Sequence, residues 1–449
     1  MSDETVKLAE FAVGLDYDDF PEDVKQRAKD SLADTIATIV FGSSLPWSRI
    51  VVDYARRLGP GGQSHILGDG DDPVTAPFAA LANGALAHAF EQDGAVRPSA
   101  GAHPGATVMS GSLALAQERG FSGRGLLTAF ITGTEVMIRI GRATKHSNET
   151  RGFHAPGTTG PFGAAVGCGK LLGFDAGQMT NALGIAGSLS SGLVEFSRSG
   201  TGAMVKRLHF GRAAEGGLLA ANLAESGFTG PHTVLEGDCG FLRVFCDEWD
   251  LSQLNKDFGT LWHTRRISMK RYACHTAGHT PVQAIVDFKR DEGLTAADVN
   301  SVTIMVGEKE LSRHDIKDPP DVMIGQYSVP FCVALALTGD AEDPRTFRDA
   351  DVSDPEIRSL IDRIELAPWG PSERPSPIAT VTTVTTKDGR VLKAEVGDFK
   401  GTPENPLDPG ELRDKFLMLT RDRDAAAMSR FFDRIQNIED QASLDWVSV

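Results

Sequence analysis

The hydrophobic pattern along the first two-thirds of the chain predicts helices. Between positions 24 and 40, apolar side chains recur every three or four residues, at Val24, Ala28, Leu32, Ile36, Ile39 and Val40. Residues with this spacing share one face of a helix. The same style of pattern predicts further helices over residues 47–58, 75–90, 105–118, 125–139, 160–172 and 212–225. We therefore expect a large all-helical domain over residues 1–265.

The pattern changes in the last third of the chain. Residues 302–306 and 379–386 are rich in β-branched side chains, which favour strands. The turn Lys387-Asp388-Gly389-Arg390 leads into a returning strand over 391–396. Residues 266–400 are therefore predicted to form a smaller α+β lid domain.

Helical spacing also occurs within and after this region. Thr280-Pro281 has the residue types of an N-cap and a first helical position, and it starts a helix predicted to reach about residue 290. Two more helices are predicted over 411–419 and 424–435. We expect residues 401–449 to complete the helical domain, so the predicted fold class is mainly α.

Glycine is unusually frequent and changes the picture of the helices. The chain has 48 glycines among 449 residues, and some of them, such as Gly163, Gly167 and Gly169, fall inside a predicted helix. Glycine in a helix interior costs about 1 kcal/mol relative to alanine. Because it also lets a neighbouring backbone approach closely, we expect tightly packed central helices.

Charge and cysteine content exclude several classes of partner. The net charge is −16, which opposes binding to nucleic acid or an anionic membrane surface. We see no signal peptide and no apolar run long enough for a membrane span. The five cysteines are scattered without a disulfide or CxxC pattern. A cytoplasmic protein without a metal centre is the expectation.

Histidines cluster with glycines in four segments, and these carry the candidate chemistry. GxSxG, Walker A and Rossmann motifs are not found. His88 and Glu91 are three residues apart, which on a helix lets them share a proton. His103 precedes a predicted helix, where it can bind or protonate an anion. His154 lies in a glycine-rich turn. Its ring suits either a functional role in the site or a hydrogen bond to the backbone of that turn.

Two further groups allow more than one interpretation. Four cationic or titratable residues fall within seven positions: Lys206, Arg207, His209 and Arg212. In an acidic protein they suggest a pocket for a polyanion, although a solvated basic turn would have the same composition. His275 and His279 are four residues apart and would suit a metal on one helix face, but no glutamate accompanies them as in HExxH.

These segments, taken in order, resemble the MmgE/PrpD family. The resemblance covers most of the chain and includes Asp30-Ser31-Leu32-Ala33-Asp34-Thr35, Gly227-Phe228-Thr229-Gly230-Pro231, Asn405-Pro406 and Lys415-Phe416. It implies a helical domain completed by the C-terminal tail, a lid domain, a homodimer and no cofactor. The family includes 2-methylcitrate dehydratase, cis-aconitate decarboxylase and iminodisuccinate epimerase.

The resemblance also implies roles for particular residues. The expected catalytic residues are Lys270, His103, His154, Glu91, Asp93 and His275, with Lys270 the first choice. The expected substrate-binding residues are Lys206, Arg207, His88, Arg271 and Tyr272. Family members usually carry Asp-x-Asp-Asp where this chain has Glu91-Gln92-Asp93-Gly94. Phe331 stands where the decarboxylases tend to have tyrosine, so Tyr327 or Tyr272 would have to supply that hydroxyl.

Several functions are compatible with these residues. The first hypothesis is a lyase that moves a proton next to a carboxylate of a di- or tricarboxylate, nearest to 2-methylcitrate dehydratase. An epimerase of the iminodisuccinate type or a cis-aconitate-type decarboxylase is the alternative. A protein that only binds carboxylates is the non-enzymatic alternative.

Overall fold

The computed structural model describes residues 3–70, 72–200, 202–370 and 374–449. Its first part is built from helices, with short strands at β1 (Pro60–Ser64) and β2 (Ala95–Val96). The helices are α1 (Glu4–Gly14), α2 (Glu22–Ser43), α3 (Pro46–Leu58), α4 (Ala76–Ala87), α5 (Ser110–Arg119), α6 (Gly123–Ala143), α7 (Ser147–Thr150), α8 (Ala155–Leu171), α9 (Ala176–Ser188), α10 (Val205–Glu225), α11 (Phe241–Phe245) and α12 (Ser252–Asn255).

Four of these helices form the centre of the molecule. α10 packs against α8 and α4, and α6 packs against the other side of α8. A methyl group on Gly84 would lie 2.9 Å from the Cα of Gly211, and one on Gly163 would lie 2.7 Å from the Cβ of Met137. Neither contact leaves room for a side chain, so glycine is required where these helices cross.

The second part combines helices with a mixed sheet. Short β3 (Ile267–Ser268) comes first, followed by α13 (His279–Glu292), β4 (Val299–Val306), α14 (Glu308–His314), α15 (Val322–Gly325), α16 (Val329–Thr338), α17 (Asp349–Val352), α18 (Pro355–Ile361), β5 (Ile364–Pro368), β6 (Thr380–Thr386) and β7 (Val391–Val396). The strand order is β5-β4-β6-β7. β4 runs parallel to β5 and antiparallel to β6, and β6 pairs antiparallel with β7 across the predicted hairpin.

The two parts are joined at several points. β2 pairs with β3, with Val96 opposite Ile267. The last helices, α19 (Pro409–Leu419) and α20 (Ala425–Gln436), pack on α2, and the buried Lys415 on α19 forms an ion pair with Asp34. The C-terminal tail therefore returns to the helical part.

The mainly-α fold class is confirmed. Several predicted helix ends differ from the structure. The helix predicted over 75–90 ends at Ala87, and the one predicted from 105 begins with a π-helical turn over Gly105–Met109. The helices predicted from 160 and 212 begin earlier, at Ala155 and Val205. The division at residues 265 and 400 and the movement of a lid stay predictions. Within the described residues, no single helix has the length and apolar character of a membrane span; only α2 and α3 together, bent by 96°, pass on length and composition.

Candidate functional site

The candidate site begins where α4 ends. His88 caps the helix, and the chain then turns so that Glu91 adopts a left-handed backbone conformation with φ of +59°. This conformation is uncommon for a residue with a side chain, and such residues are concentrated at functional sites. The predicted helical pairing of His88 with Glu91 is wrong, because both residues lie beyond the helix. The turn nevertheless places His88 Nε2 3.2 Å from Glu91 Oε1.

Glu91 is the centre of a buried group of charges. Lys206, on the first turn of α10, contacts Glu91 Oε1. Lys270, which follows β3 in the second part, donates to Glu91 Oε2 at 2.9 Å. All three side chains are almost inaccessible to solvent. One carboxylate thus joins lysines from both parts of the chain.

This arrangement determines which groups are charged. Burial opposes ionisation of Glu91, but the charges of Lys206, Lys270 and His88 outweigh it and hold the pKa of Glu91 well below its usual value. Burial also lowers the pKa of Lys206, although Glu91 opposes that shift. Glu91 is therefore a fixed anion, and Lys206 releases its proton more readily than a surface lysine does.

Asp93 holds two imidazole rings. His88 Nδ1 lies 2.6 Å from Asp93 Oδ1, and His103 Nδ1 lies 2.8 Å from Asp93 Oδ2. Burial again opposes ionisation, but the two histidines outweigh it and hold the pKa of Asp93 below its usual value. Burial lowers the pKa of His103. With Nδ1 fixed by Asp93, His103 keeps Nε2 for a proton or a ligand.

A second pair of histidines lies beside this cluster. His154, at the N-cap of α8, places its Nδ1 2.8 Å from Nδ1 of His209 on α10. Burial and the charge of Lys206 hold the pKa of His154 well below its usual value and lower that of His209 to about 4. Both rings are therefore neutral at pH 7, and one donates the hydrogen bond that the other accepts.

The second part contributes three neighbouring rings, those of Tyr327, His275 and His314, here called the aromatic wall. The ring of Tyr327 lies 5.0 Å from Lys206 Nζ, and burial together with the neighbouring Glu91 carboxylate holds the pKa of Tyr327 well above its usual value. The ring of His275 lies 5.3 Å from that of Tyr327 and 4.4 Å from that of His314, and the Tyr327 and His314 rings are 6.2 Å apart. Gln326 Nε2 donates to the carbonyls of Phe90 and Ala273, which ties this wall to the turn that carries Glu91.

The buried and accessible residues divide the site into a floor and a rim. The floor consists of the buried side chains His88, Glu91, Asp93, Lys206 and Lys270. The rim consists of side chains that keep partial contact with solvent: His103, His154, His209, His275 and Tyr327. The rim residues are therefore the members of the cluster that a ligand in solvent can contact directly.

Two groups of residues contain the side-chain types that bind metals. His88, Asp93 and His103 have suitable ligand atoms within 4.8 Å of one another, but their N–O separations are those of hydrogen bonds, and each ring uses a different carboxylate oxygen. His275 and His279 do not share a helix face, because His275 precedes α13 and His279 begins it. His279 instead bonds the Cys274 carbonyl at 3.2 Å.

Some expected substrate-binding residues lie outside the cluster. Arg207 follows Lys206 on α10 and so points about 100° away from it; its guanidinium donates to the Ala89 carbonyl. Arg271 pairs with Glu342 at 2.8 Å. The Tyr272 hydroxyl donates to Gln283 within the α+β part. Of the two tyrosines considered as replacements for a hydroxyl at Phe331, only Tyr327 reaches the site.

Residues that the sequence did not single out complete the arrangement. Phe210 stacks on His88 with 3.9 Å between ring centres, and Gln326 fixes the aromatic wall. His209 was noted only as part of a basic run, and its pairing with His154 depends on the crossing of α8 and α10. Their spacing along the chain gives no signal of these contacts.

The site combines three chemical capacities. Lysine and histidine groups can deliver or remove a proton, the cationic groups can stabilise developing negative charge, and the buried floor excludes water. This combination suits chemistry at a carbon next to a carboxylate.

Comparisons with known proteins agree with this description. The MmgE/PrpD N-terminal domain family matches residues 6–254, and the MmgE/PrpD C-terminal domain family matches residues 272–438. A cis-aconitate decarboxylase of Aspergillus terreus is 32% identical over 74% of this chain and 71% of its own length. The cis-aconitate decarboxylases of mouse and human are 25% and 26% identical, over 97% and 90% of this chain and 91% and 85% of their own lengths. The two domain matches together span both parts of the structure, and the chain belongs to the MmgE/PrpD family.

Proposed function

We propose that this protein is a lyase that removes a carboxylate group from a cis-aconitate-type polycarboxylate by proton transfer, without a cofactor. Enzymatic lyase activity is the function of the relatives described above. The observation that carries the proposal is the joining of Lys206, Lys270 and Tyr327 around the ionised Glu91. We favour a substrate like cis-aconitate over one like 2-methylcitrate, because the similar proteins described above are cis-aconitate decarboxylases.

The reaction requires one bond to break and one to form. The bond between the substrate carbon and its leaving carboxylate breaks, carbon dioxide departs, and the electron pair remains as an enolate-like charge beside another carboxylate. A proton then adds to carbon, so the net change consumes one proton. The Lys270 ammonium is the proposed donor, and solvent restores its proton after turnover.

The neighbouring residues have distinct proposed tasks. Lys206 stabilises the developing negative charge, because a preorganised cation in a buried site acts through a low dielectric. Glu91 holds both ammonium groups in position. Tyr327 supplies the hydroxyl that Phe331 lacks, which weakens the main objection that the sequence raised against a decarboxylase.

His103 and His154 lie on the rim, where either can contact a substrate carboxylate. In a dehydratase, His103 would instead protonate a departing hydroxyl group, as the sequence suggested for a substrate like 2-methylcitrate. An epimerase would use the same groups to remove and return one proton. The proposed assembly is a homodimer.

Proton NMR in D2O separates these reactions. Chelator-treated protein is incubated with cis-aconitate, 2-methylcitrate, citrate and iminodisuccinate. Decarboxylation of cis-aconitate with deuterium incorporated into the product supports the proposal. A new alkene from 2-methylcitrate without loss of carbon dioxide would instead establish a dehydratase, and deuterium incorporation at a carbon next to a carboxylate without a new alkene would indicate an epimerase.

A protein that only binds carboxylates predicts a different outcome. Such a protein would be stabilised against heat by a carboxylate that is never consumed. The Lys270→Ala variant would then leave its function intact. Consumption of a carboxylate by the wild-type protein and its loss in Lys270→Ala would exclude this alternative.

A further inference from the structure

One cation near the site has no partner among the residues that the structure describes. Arg97 follows β2 and lies in the loop between Asp93 and His103. Among the residues that the structure describes, its guanidinium takes part in neither a hydrogen bond nor an ion pair. The backbone carbonyl of Arg97 accepts from Arg266 Nε at 3.1 Å, so the main chain is fixed while the charged group remains free.

The loop geometry places Arg97 beside the rim. Val96 N donates to the Ala102 carbonyl at 2.9 Å, which closes the loop at its base. Asp93 and His103 are joined at 2.8 Å on the site side of the same loop. Because Arg97 follows Val96 and His103 follows Ala102, the Val96–Ala102 bond keeps the backbones of Arg97 and His103 close together.

The Arg97 side chain combines exposure with proximity to the second part of the molecule. It is exposed to solvent, and neighbouring protein atoms desolvate it enough to lower its pKa. Its charge contributes, after burial and His314, to lowering the pKa of His275. An accessible guanidinium thus lies near the rim residue His275.

The nearest acidic groups already have other partners. Arg97 interacts at longer range with Glu149 and Glu310. Glu149 is bonded to His146 at 2.7 Å, and Glu310 lies 3.3 Å from Arg374. Neither carboxylate neutralises Arg97 by direct contact.

The lysines of the floor already have a shared partner. Lys206 and Lys270 both pair with Glu91, so that together they offer one positive charge in excess of that carboxylate. A substrate with several carboxylates therefore needs positive charge beyond the floor. A guanidinium is well suited to this, because its planar donors bind a carboxylate through two parallel hydrogen bonds.

We propose that Arg97 binds the substrate carboxylate farthest from Lys270 and thereby selects tricarboxylates over dicarboxylates. This inference rests on the proposed function, since it assumes that the cluster acts on a polycarboxylate. Arg97 is a specificity-determining residue that contacts the substrate without taking part in the proton transfer.

The test measures binding without turnover. Isothermal titration calorimetry compares tricarballylate, a saturated tricarboxylate, with methylsuccinate, which lacks one of its terminal carboxylates. In Arg97→Gln we expect tricarballylate to bind about tenfold more weakly or worse, the size of a lost charged hydrogen bond, while methylsuccinate changes by less than about threefold. Arg97→Lys should retain part of the preference.

A matched control removes a different arginine, one whose charge already has a partner on the surface. Arg265 pairs with Asp23 at 2.6 Å on the surface, and Arg265→Gln should bind both ligands as the wild-type protein does. An unchanged ratio of the two affinities in Arg97→Gln, or the same change in Arg265→Gln, would overturn the proposal.

Steady-state kinetics distinguishes failure of this inference from failure of the proposed function. For cis-aconitate, Arg97→Gln should raise KM with little change in kcat. If wild-type protein converts cis-aconitate and the variant has an unchanged KM, only the role of Arg97 is wrong. Wild-type protein that neither binds nor converts carboxylates would overturn the proposed function and this inference together.

Discussion

The two buried carboxylates of the site are held in different ways. Asp93 is bonded by His88 and His103, which lie five and ten residues away in the same segment. Glu91 is bonded by Lys206, which is 115 residues away, and by Lys270, which is 179 residues away. Asp93 therefore belongs to a local unit, whereas the environment of Glu91 exists only when both parts of the molecule have docked.

This difference bears on the proposed reaction. Asp93 makes its contacts with His88 and His103 within one segment, so these contacts do not involve Lys270. Glu91 is bonded by Lys270 of the second part. In the proposed mechanism, the position of the proton donor therefore depends on how the two parts pack together.

The largest expected effect is the loss of turnover in Lys270→Ala. Removing the proposed proton donor should lower kcat by about 10³-fold, within the usual range for general acid catalysis. Proton NMR of cis-aconitate conversion measures this, and circular dichroism checks that the variant is folded. The control is Lys400→Ala, which removes a lysine paired with Glu411 at 2.8 Å near the surface. Residual activity within tenfold of wild type would contradict the role.

Glu91→Gln tests whether Glu91 holds the two lysines that come from distant parts of the chain. The substitution keeps the shape of the side chain but leaves Lys206 and Lys270 without their shared counter-ion. Breaking a buried ion pair costs about 3–5 kcal/mol, so the free energy of unfolding in urea should fall by about that amount. Glu91→Asp, which restores the charge, should recover part of it. Equal stability of the glutamine variant and the wild type would show that the lysines do not depend on Glu91.

Asp93→Asn provides the contrasting measurement. Asparagine can donate as well as accept, so His88 and His103 lose the partner that fixes their Nδ1 protons. We expect kcat to fall about 10²-fold, with a smaller loss of stability than in Glu91→Gln, because the imidazoles can become neutral. A larger loss of stability than in Glu91→Gln would reverse the comparison of the two centres.

The smallest expected effect concerns the second histidine pair. Since the charge of His209 contributes to lowering the pKa of His154, His209→Asn should raise the pKa of His154. If neutral His154 is required for binding or catalysis, the acidic limb of the kcat/KM profile moves toward neutral pH. A change in rate without a shift of that limb would instead indicate a purely structural role for His209.

The same pair predicts the direction of the stability change in acid. The folded pKa of His209 is about 4, below its ordinary value near 6.5. Between these values the unfolded chain binds a proton that the folded protein excludes, so stability falls as pH falls from about 6.5 to about 4. Melting temperatures should decrease less over this range in His209→Asn than in the wild type.

Much of the architecture was predictable because it depends on local chemistry. The helix predicted over 24–40 occupies Glu22–Ser43, and the hairpin predicted around Gly389 joins β6 to β7. Amphipathic spacing and turn residues suffice for such elements. The end of α4 was misplaced, because His88, Ala89 and Phe90 continue the apolar pattern while the backbone already turns.

For the site as well, local chemistry was predictable from the sequence and contacts between distant segments were not. The sequence supplied the residue types, and the order of its segments supplied the family. It did not supply the direction of each side chain: Lys206 and Arg207 are neighbours in the chain, but the helix directs only Lys206 to Glu91. Lys270 and Tyr272 are also close in the chain, but Lys270 bonds Glu91 in the cluster whereas Tyr272 bonds Gln283 outside it.

The sequence by itself therefore determined the mainly helical fold, the hairpin and most of the titratable groups, because these follow from periodicity and residue type, and the resemblance of its ordered segments indicated the family. Only the tertiary structure decided that Glu91 joins two distant lysines, that His209 pairs with His154 and that Arg97 has no ion-pair partner among the described residues. These contacts arise from helix crossings and from the docking of the two parts, and such distances in space are not encoded in spacing along the chain.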